Sequence, residues 1–212
     1  MAMRTDAPVS LESGDCMTRE EFHRRYLARP DIKKAELIDG VVYVSSPVRF
    51  DRHSQPHFVV IGWLAMYVAL TPGVEPGGDN ATIFLEGGHE VQPDAFLWRP
   101  EAGGAYLNED GYLIGAPQLI VEVAASSVSY DLHQKKEAYR RNGVPEYVVW
   151  RVENQALDWL RLRDGQYVLI QPDADGVIES EQFPGLRLHV QSMLAGDLAG
   201  VLAALRRADT PS

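Results

Sequence analysis

The chain has 212 residues, a net charge of -10 and a composition that is 45% hydrophobic and 24% charged. That length suits one domain with a core of ordinary size, and no apolar run approaches the ~20 residues a membrane helix needs. So acidic a balance argues against non-specific nucleic-acid binding over the whole surface, though not against a local basic strip. The single cysteine, Cys16, excludes an internal disulfide and fits a reducing compartment. With no apolar stretch of signal-peptide type at the start, the expected location is the cytoplasm.

Residues 1–17 read as a disordered lead-in. Thr18 then caps a helix that places Glu20 and Glu21 in its first turn, where the macrodipole favours acids, and stops before Pro30. Residues 35–44 read as a hairpin about Asp39-Gly40. From about Arg52 to Leu70, the positions Phe58, Ile61, Leu64, Ala65 and Val68 keep a helical period, which Thr71-Pro72-Gly73 ends. Residues 79–85 and 90–98 read as neighbouring strands separated by Gly87-Gly88. Residues 99–117 are a Gly-rich loop with one short strand at 112–114.

The stretch from Leu119 to Arg151 runs strand, small-residue loop, charged helix, loop, strand, the pattern of a βαβ unit. Beyond it come a hairpin over 156–162 and 167–170, a turn at 173–176 and a final helix over 190–206. The whole predicts one domain over 18–206 in the α/β class: a mixed central sheet flanked by helices, with extra hairpins.

Glu122 lies inside the apolar run Leu119 to Ala124. A carboxylate there must be paired, protonated or metal-bound, because an unpaired buried charge costs several kcal/mol or more. Asp94, 28 residues earlier in Gln92-Pro93-Asp94, is predicted near the end of a strand on the same sheet. Two carboxylates brought together call for a shared positive charge, and Mg²⁺ or Mn²⁺ suits oxygen donors. Lys135 on the following helix would orient the attacking water and neutralise charge, and Glu36 opens the hairpin beside them. One cysteine and no HExxH pattern argue against zinc.

The segments Glu36-Leu37-Ile38-Asp39-Gly40, Pro93-Asp94, Val121-Glu122-Val123, Tyr130-Asp131 with Lys135 and Tyr139, and Gly143-Val144-Pro145-Glu146-Tyr147 stand in an order that resembles the Uma family of putative restriction endonucleases. That family belongs to the PD-(D/E)XK nuclease superfamily, and the resemblance runs from about Thr18 to Val190. It implies a restriction-endonuclease-like core in which Asp94 and Glu122 hold the metal, with the Val123 carbonyl as a third ligand and Glu36 in support. The superfamily's lysine usually follows two residues after the second acid, a position held here by Ala124. The Uma-like pattern puts it on the next helix, matching Lys135, and Asp131, Lys135 and Tyr139 at i, i+4 and i+8 share a face.

The implied activity is metal-dependent hydrolysis of phosphodiester bonds, with double-stranded DNA as partner and a homodimer suited to two-strand cutting. The rival is a catalytically inactive module that keeps the fold to bind nucleic acid or a partner. Each residue also has a plainer reading. Glu122 could pair with Lys135 structurally, Glu36 with Lys33 or Lys34, Tyr139 could pack, and Asp131 could cap its helix. His53 and His57 could meet phosphate, and Lys136, Arg140, Arg141, Arg49 and Arg52 could form the basic strip.

Overall fold

In the computed structural model, which describes residues 10–45, 49–78, 81–125 and 130–206, the chain crosses from one sheet to a second at Gln92–Asp94. The first sheet has the order β2 (Val41–Val44), β1 (Ala35–Ile38), β5 (His89–Val91), β4 (Ile83–Leu85), β8 (Leu113–Gly115), β7 (Ala105–Leu107). The second runs β12 (Gln166–Leu169), β11 (Ala156–Arg163), β10 (Glu146–Arg151), β9 (Leu119–Ala124), β6 (Ala95–Trp98), β3 (Glu75–Gly78). Both are mixed, with β4 parallel to β8 and β9 parallel to β10. A short hairpin of β13 (Val177–Glu179) and β14 (Arg187–His189) completes the strands among the described residues.

The expected single strand over 90–98 is therefore two strands in different sheets. Pro93 has no N–H to give a ladder, and the chain turns there, so β5 pairs with β1 while β6 pairs with β9. The site residues gather at this corner.

Helix α1 (Arg19–Leu27) begins as the sequence predicts, the Thr18 hydroxyl accepting from the Glu21 N–H at 3.4 Å. Its Phe22 packs with Leu37 and Val42 in a small core over the first hairpin. Both turn residues have positive φ, Asp39 at 50° and Gly40 at 75°, as the Asp-Gly pair requires. Residues 10–17, the described part of the predicted lead-in, lie against that hairpin: Leu11 is buried, and the Gly14 and Met17 N–H groups donate to Val42 O and Gly40 O. Residues 1–9 of the lead-in lie outside the described residues, as do 79–80 of the predicted strand and 126–129 of the loop after β9.

The long helix starts as one π-helical turn, Phe50–Ser54, and continues as α2 (Gln55–Leu70). It buries Val59, Val60, Trp63, Leu64 and Tyr67 against one face of the second sheet. Trp63 meets Trp159 edge to face at 5.8 Å and donates its indole N–H to Arg187 O at 2.9 Å. The final helix is broken into α4 (Val190–Leu194) and α5 (Leu198–Arg206), with Gly196 at φ 68° between them, and α5 closes the same core. Between α2 and α4, Lys136–Arg141 forms helix α3. Among the described residues, no helix is long and apolar enough to cross a membrane.

Strand β3, Glu-Pro-Gly-Gly, carries no apolar pattern and was not expected. A Cβ on Gly77 would fall 1.9 Å from Phe96 Cζ, so glycine is what lets the aromatic ring lie across its backbone. Gly115, where β7 and β8 meet, has φ 93° and would place a Cβ 2.0 Å from Gly104 O. Gly115→Ala should therefore cost roughly 2–4 kcal/mol from backbone strain and the clash together. A urea melt with a lowered midpoint and unchanged slope would register it.

Candidate active site

Alternation along β9 decides which way its acid points. Leu119, Val121 and Val123 face the core with Trp63 and Trp159, whereas Ile120 and Ala124 face the opposite core with Ala138 and Tyr139. Glu122 shares the second face, since side chains alternate along a strand. Over that face lies a helical segment, the π-helical turn Asp131–Lys135 followed by α3. Tyr130 already has helical dihedrals (φ -66°, ψ -47°), so Asp131 stands inside the helix and not at its cap. Lys135 and Tyr139, one turn apart, both reach Glu122 Oε1, the ammonium at 2.8 Å and the phenol at 3.1 Å. The Lys135 side chain is only 2% exposed and also lies 3.0 Å from Glu36 Oε1, so one buried cation joins two carboxylates from different sheets.

Burial raises the Tyr139 phenol well above its ordinary pKa, and the nearby Glu122 and Glu36 charges add to the effect. The hydroxyl thus stays protonated and donates to Glu122. Tyr139→Phe should cost about 1–3 kcal/mol, the penalty for leaving a buried charged acceptor short of a donor. Chemical denaturation of the variant measures this, and a loss below a few tenths would mean the bond contributes nothing.

Asp94 comes from the corner. The register Ala95↔Val121 carries one step further to set Asp94 beside Glu122. Its backbone N–H faces Glu122 Oε2 at 3.4 Å, and its Oδ2 accepts from the Val123 N–H at 2.8 Å. Lys34 Nζ lies 2.8 Å from Oδ1 and His53 Nε2 lies 3.2 Å from Oδ2. His57 Nε2 donates to the Asp94 carbonyl at 2.9 Å, since a carbonyl can only accept. Burial by itself would raise the Asp94 carboxyl. The His53 hydrogen bond, then the Lys34, His53 and Lys135 charges, outweigh it and hold Asp94 well below the usual carboxylate range.

Glu36, Asp94, Glu122 and Lys135, predicted from sequence as one constellation, are thus brought together by β1, the β5–β6 corner, β9 and the helical turn. The Uma2 family, described as "Putative restriction endonuclease", matches residues 19–191, well over half of the chain. The chain belongs to the Uma2 family. Among solved structures, a protein titled a putative nuclease belonging to DUF820, from Anabaena variabilis ATCC 29413, superposes with a TM-score of 0.65. Identity is 15%, and the match covers 85% of this chain and 98% of that one, so the likeness speaks for the fold, which is restriction-endonuclease-like. No curated protein matches the chain.

Sequence reasoning did not single out Lys34, Tyr130 or Gln92 for the site of this Uma2 member. The Gln92 N–H donates to Glu36 Oε1 at 2.7 Å, and the Tyr130 hydroxyl lies 3.5 Å from Glu36 Oε2 with its ring 5.6 Å from the Lys135 ammonium. Lys34 takes a site place although it stands in an ordinary Lys33-Lys34 pair. Burial would lower its pKa, but the charge of Asp94, with Glu122 and Glu36 behind it, more than offsets that and the repulsion of Lys135, and the net shift is upward. The expected basic strip is largely spent on neighbours: Arg52 pairs with Glu153, Arg140 with Glu137, and Arg141 with Asp39.

Asp94, Glu122 and Glu36 are all oxygen donors, the set a hard divalent cation takes. Lys34 and Lys135 already place positive charge among them. Among the described residues, no cluster of three His, Cys, Asp or Glu side chains forms a ready metal cage. Carboxylate oxygens of this kind suit a hard divalent cation that keeps part of its water shell.

Proposed function

We propose that the chain is a metal-dependent endonuclease hydrolysing phosphodiester bonds in double-stranded DNA, formed by one domain over residues 18–206 and acting in the cytoplasm. The observation that carries the reading is the buried Glu36–Lys135–Glu122 bridge standing against Asp94, with each residue supplied by a different element. Membership of a family described as "Putative restriction endonuclease" supports it.

Asp94 and Glu122, with the Val123 carbonyl, would hold Mg²⁺ or Mn²⁺. When bound, the ion supplies Lewis-acid polarisation of the phosphate and an acidified water. Asp94 is fixed for that role by the Val123 N–H and by His57 on its carbonyl. Glu122 is oriented by Tyr139, and Lys135 is held in place by Glu36 and Glu122, so its charge needs no rearrangement as negative charge builds on the phosphoryl group. Two copies would suit cutting of both strands.

Purified protein should nick or linearise plasmid in Mg²⁺ or Mn²⁺. Millimolar Mn²⁺ should also raise its melting temperature, by the equivalent of about 2.7 kcal/mol once the ion reaches a hundred times its Kd. Undiminished cleavage by Asp94→Ala would sink the site assignment. No cleavage together with an Mn²⁺-independent melt would mark the chain as a non-catalytic binding module that keeps the nuclease fold.

A further inference from the structure

The two lysines of the site differ in what can reach them. Lys135 is 2% exposed and clamped between two glutamates, whereas the Lys34 side chain is 20% exposed and His53, on the same carboxylate, is 21% exposed. A phosphodiester approaching the pocket meets three carboxylates and needs positive charge at the mouth. Of the basic strip expected from sequence (Lys136, Arg49, Arg52, Arg140 and Arg141), Arg52, Arg140 and Arg141 are paired with acids elsewhere. Lys34 is part-exposed on a flexible stem beside the carboxylates, and Asp94, its partner at 2.8 Å, also has the Val123 N–H and His53 to satisfy it. Asp94 can therefore release Lys34 without being left bare. His53 presents its Nε2–H to the same Asp94 oxygen that Val123 holds, because an ionised carboxylate can only accept.

We propose that Lys34 is the substrate-phosphate contact of this site: its ammonium moves from Asp94 Oδ1 to the incoming backbone phosphate, with His53 beside it on the same carboxylate. The assignment rests on the nuclease reading and gives a role to a residue just before β1 that no motif marks. It also separates two duties, with Lys135 fixed to the acids and Lys34 handed to the substrate.

The test is equilibrium binding of a fluorescein-labelled duplex by anisotropy in EDTA, so that no cleavage occurs, over a salt series. Wild type is compared with Lys34→Ala, Lys34→Gln, Lys34→Arg, His53→Gln and the exposed neighbour variant Lys33→Ala. Losing one phosphate contact should flatten log K against log salt by about 0.9. Lys34→Ala and Lys34→Gln should both show that change, Lys34→Arg should restore the wild-type slope, and Lys33→Ala should leave it. His53→Gln should weaken binding less than Lys34→Ala does.

Lys34→Gln can still donate to Asp94, so a flattened slope in that variant reports charge on phosphate and not bracing of the acid. If wild type binds and cuts DNA but Lys34→Gln keeps its slope, or Lys33→Ala loses as much, the Lys34 assignment is overturned and the nuclease reading stands. If wild type neither binds nor cuts DNA with Mn²⁺ restored, the nuclease reading fails and Lys34 falls with it.

Discussion

Lys135→Met should destabilise the fold by about 3–5 kcal/mol and abolish cleavage, because it removes a buried cation from between two buried carboxylates. Glu36 and Glu122 are almost fully enclosed and lie 3.0 and 2.8 Å from the Lys135 ammonium. Each would keep a neutral donor, the Gln92 N–H for Glu36 and the Tyr139 hydroxyl for Glu122, which favours the lower end of that range. The structural and chemical parts of the loss can be separated. Adding Glu36→Gln and Glu122→Gln to Lys135→Met removes both charges, and replacing a whole buried ion cluster is often neutral or better. The triple variant should recover most of the stability in a urea melt and none of the activity. A triple variant as unstable as the single would show that Lys135 holds the fold through packing and not charge.

What could be read from the chain beforehand was whatever depends on near neighbours. The Asp39-Gly40 turn is fixed by two positive φ values that those residue types tolerate. Glu122 stood out as one charge in an apolar strand, the family resemblance marked Lys135 on the next helix, and helical spacing put Tyr139 on the same face. The rest depended on chain crossings. Apolar residues on both sides of Gln92-Pro93-Asp94 mimic one continuous strand, although proline signals an interruption. Only the pairing of β5 with β1 and of β6 with β9 makes that segment a corner. Lys34 is 60 residues from Asp94, so its role follows from that pairing and not from local pattern. The arginines illustrate both cases. The Glu137–Arg140 pair is a helix neighbour and was readable, whereas Arg141–Asp39 and Arg52–Glu153 span about a hundred residues. β13 and β14 are three residues each and carry too short an alternation to be recognised.

Asp94→Asn should lower cleavage on the order of 10³-fold while leaving the chain folded, the upper end for one group that acts on developing charge and equivalent to about 4 kcal/mol. The amide keeps an oxygen that can accept from the Val123 N–H, so the corner holds, but it loses the negative charge opposite Lys34 and the ligand a divalent ion needs. The pH dependence adds a second check. The folded carboxyl titrates well below its ordinary value because the His53 bond and the lysine charges outweigh burial. A depressed acid contributes stability that is fully present above the unfolded value near 3.9 and is lost as pH falls through the folded one. The melting difference between wild type and Asp94→Asn should thus be constant from neutral pH down to about pH 5 and close only in stronger acid. For the same reason, Asp94 should contribute no inflection to the activity profile between about pH 5 and 9. A difference that vanished already near pH 6, or cleavage within about tenfold of wild type, would mean that Asp94 has a structural role only and that the metal is held elsewhere.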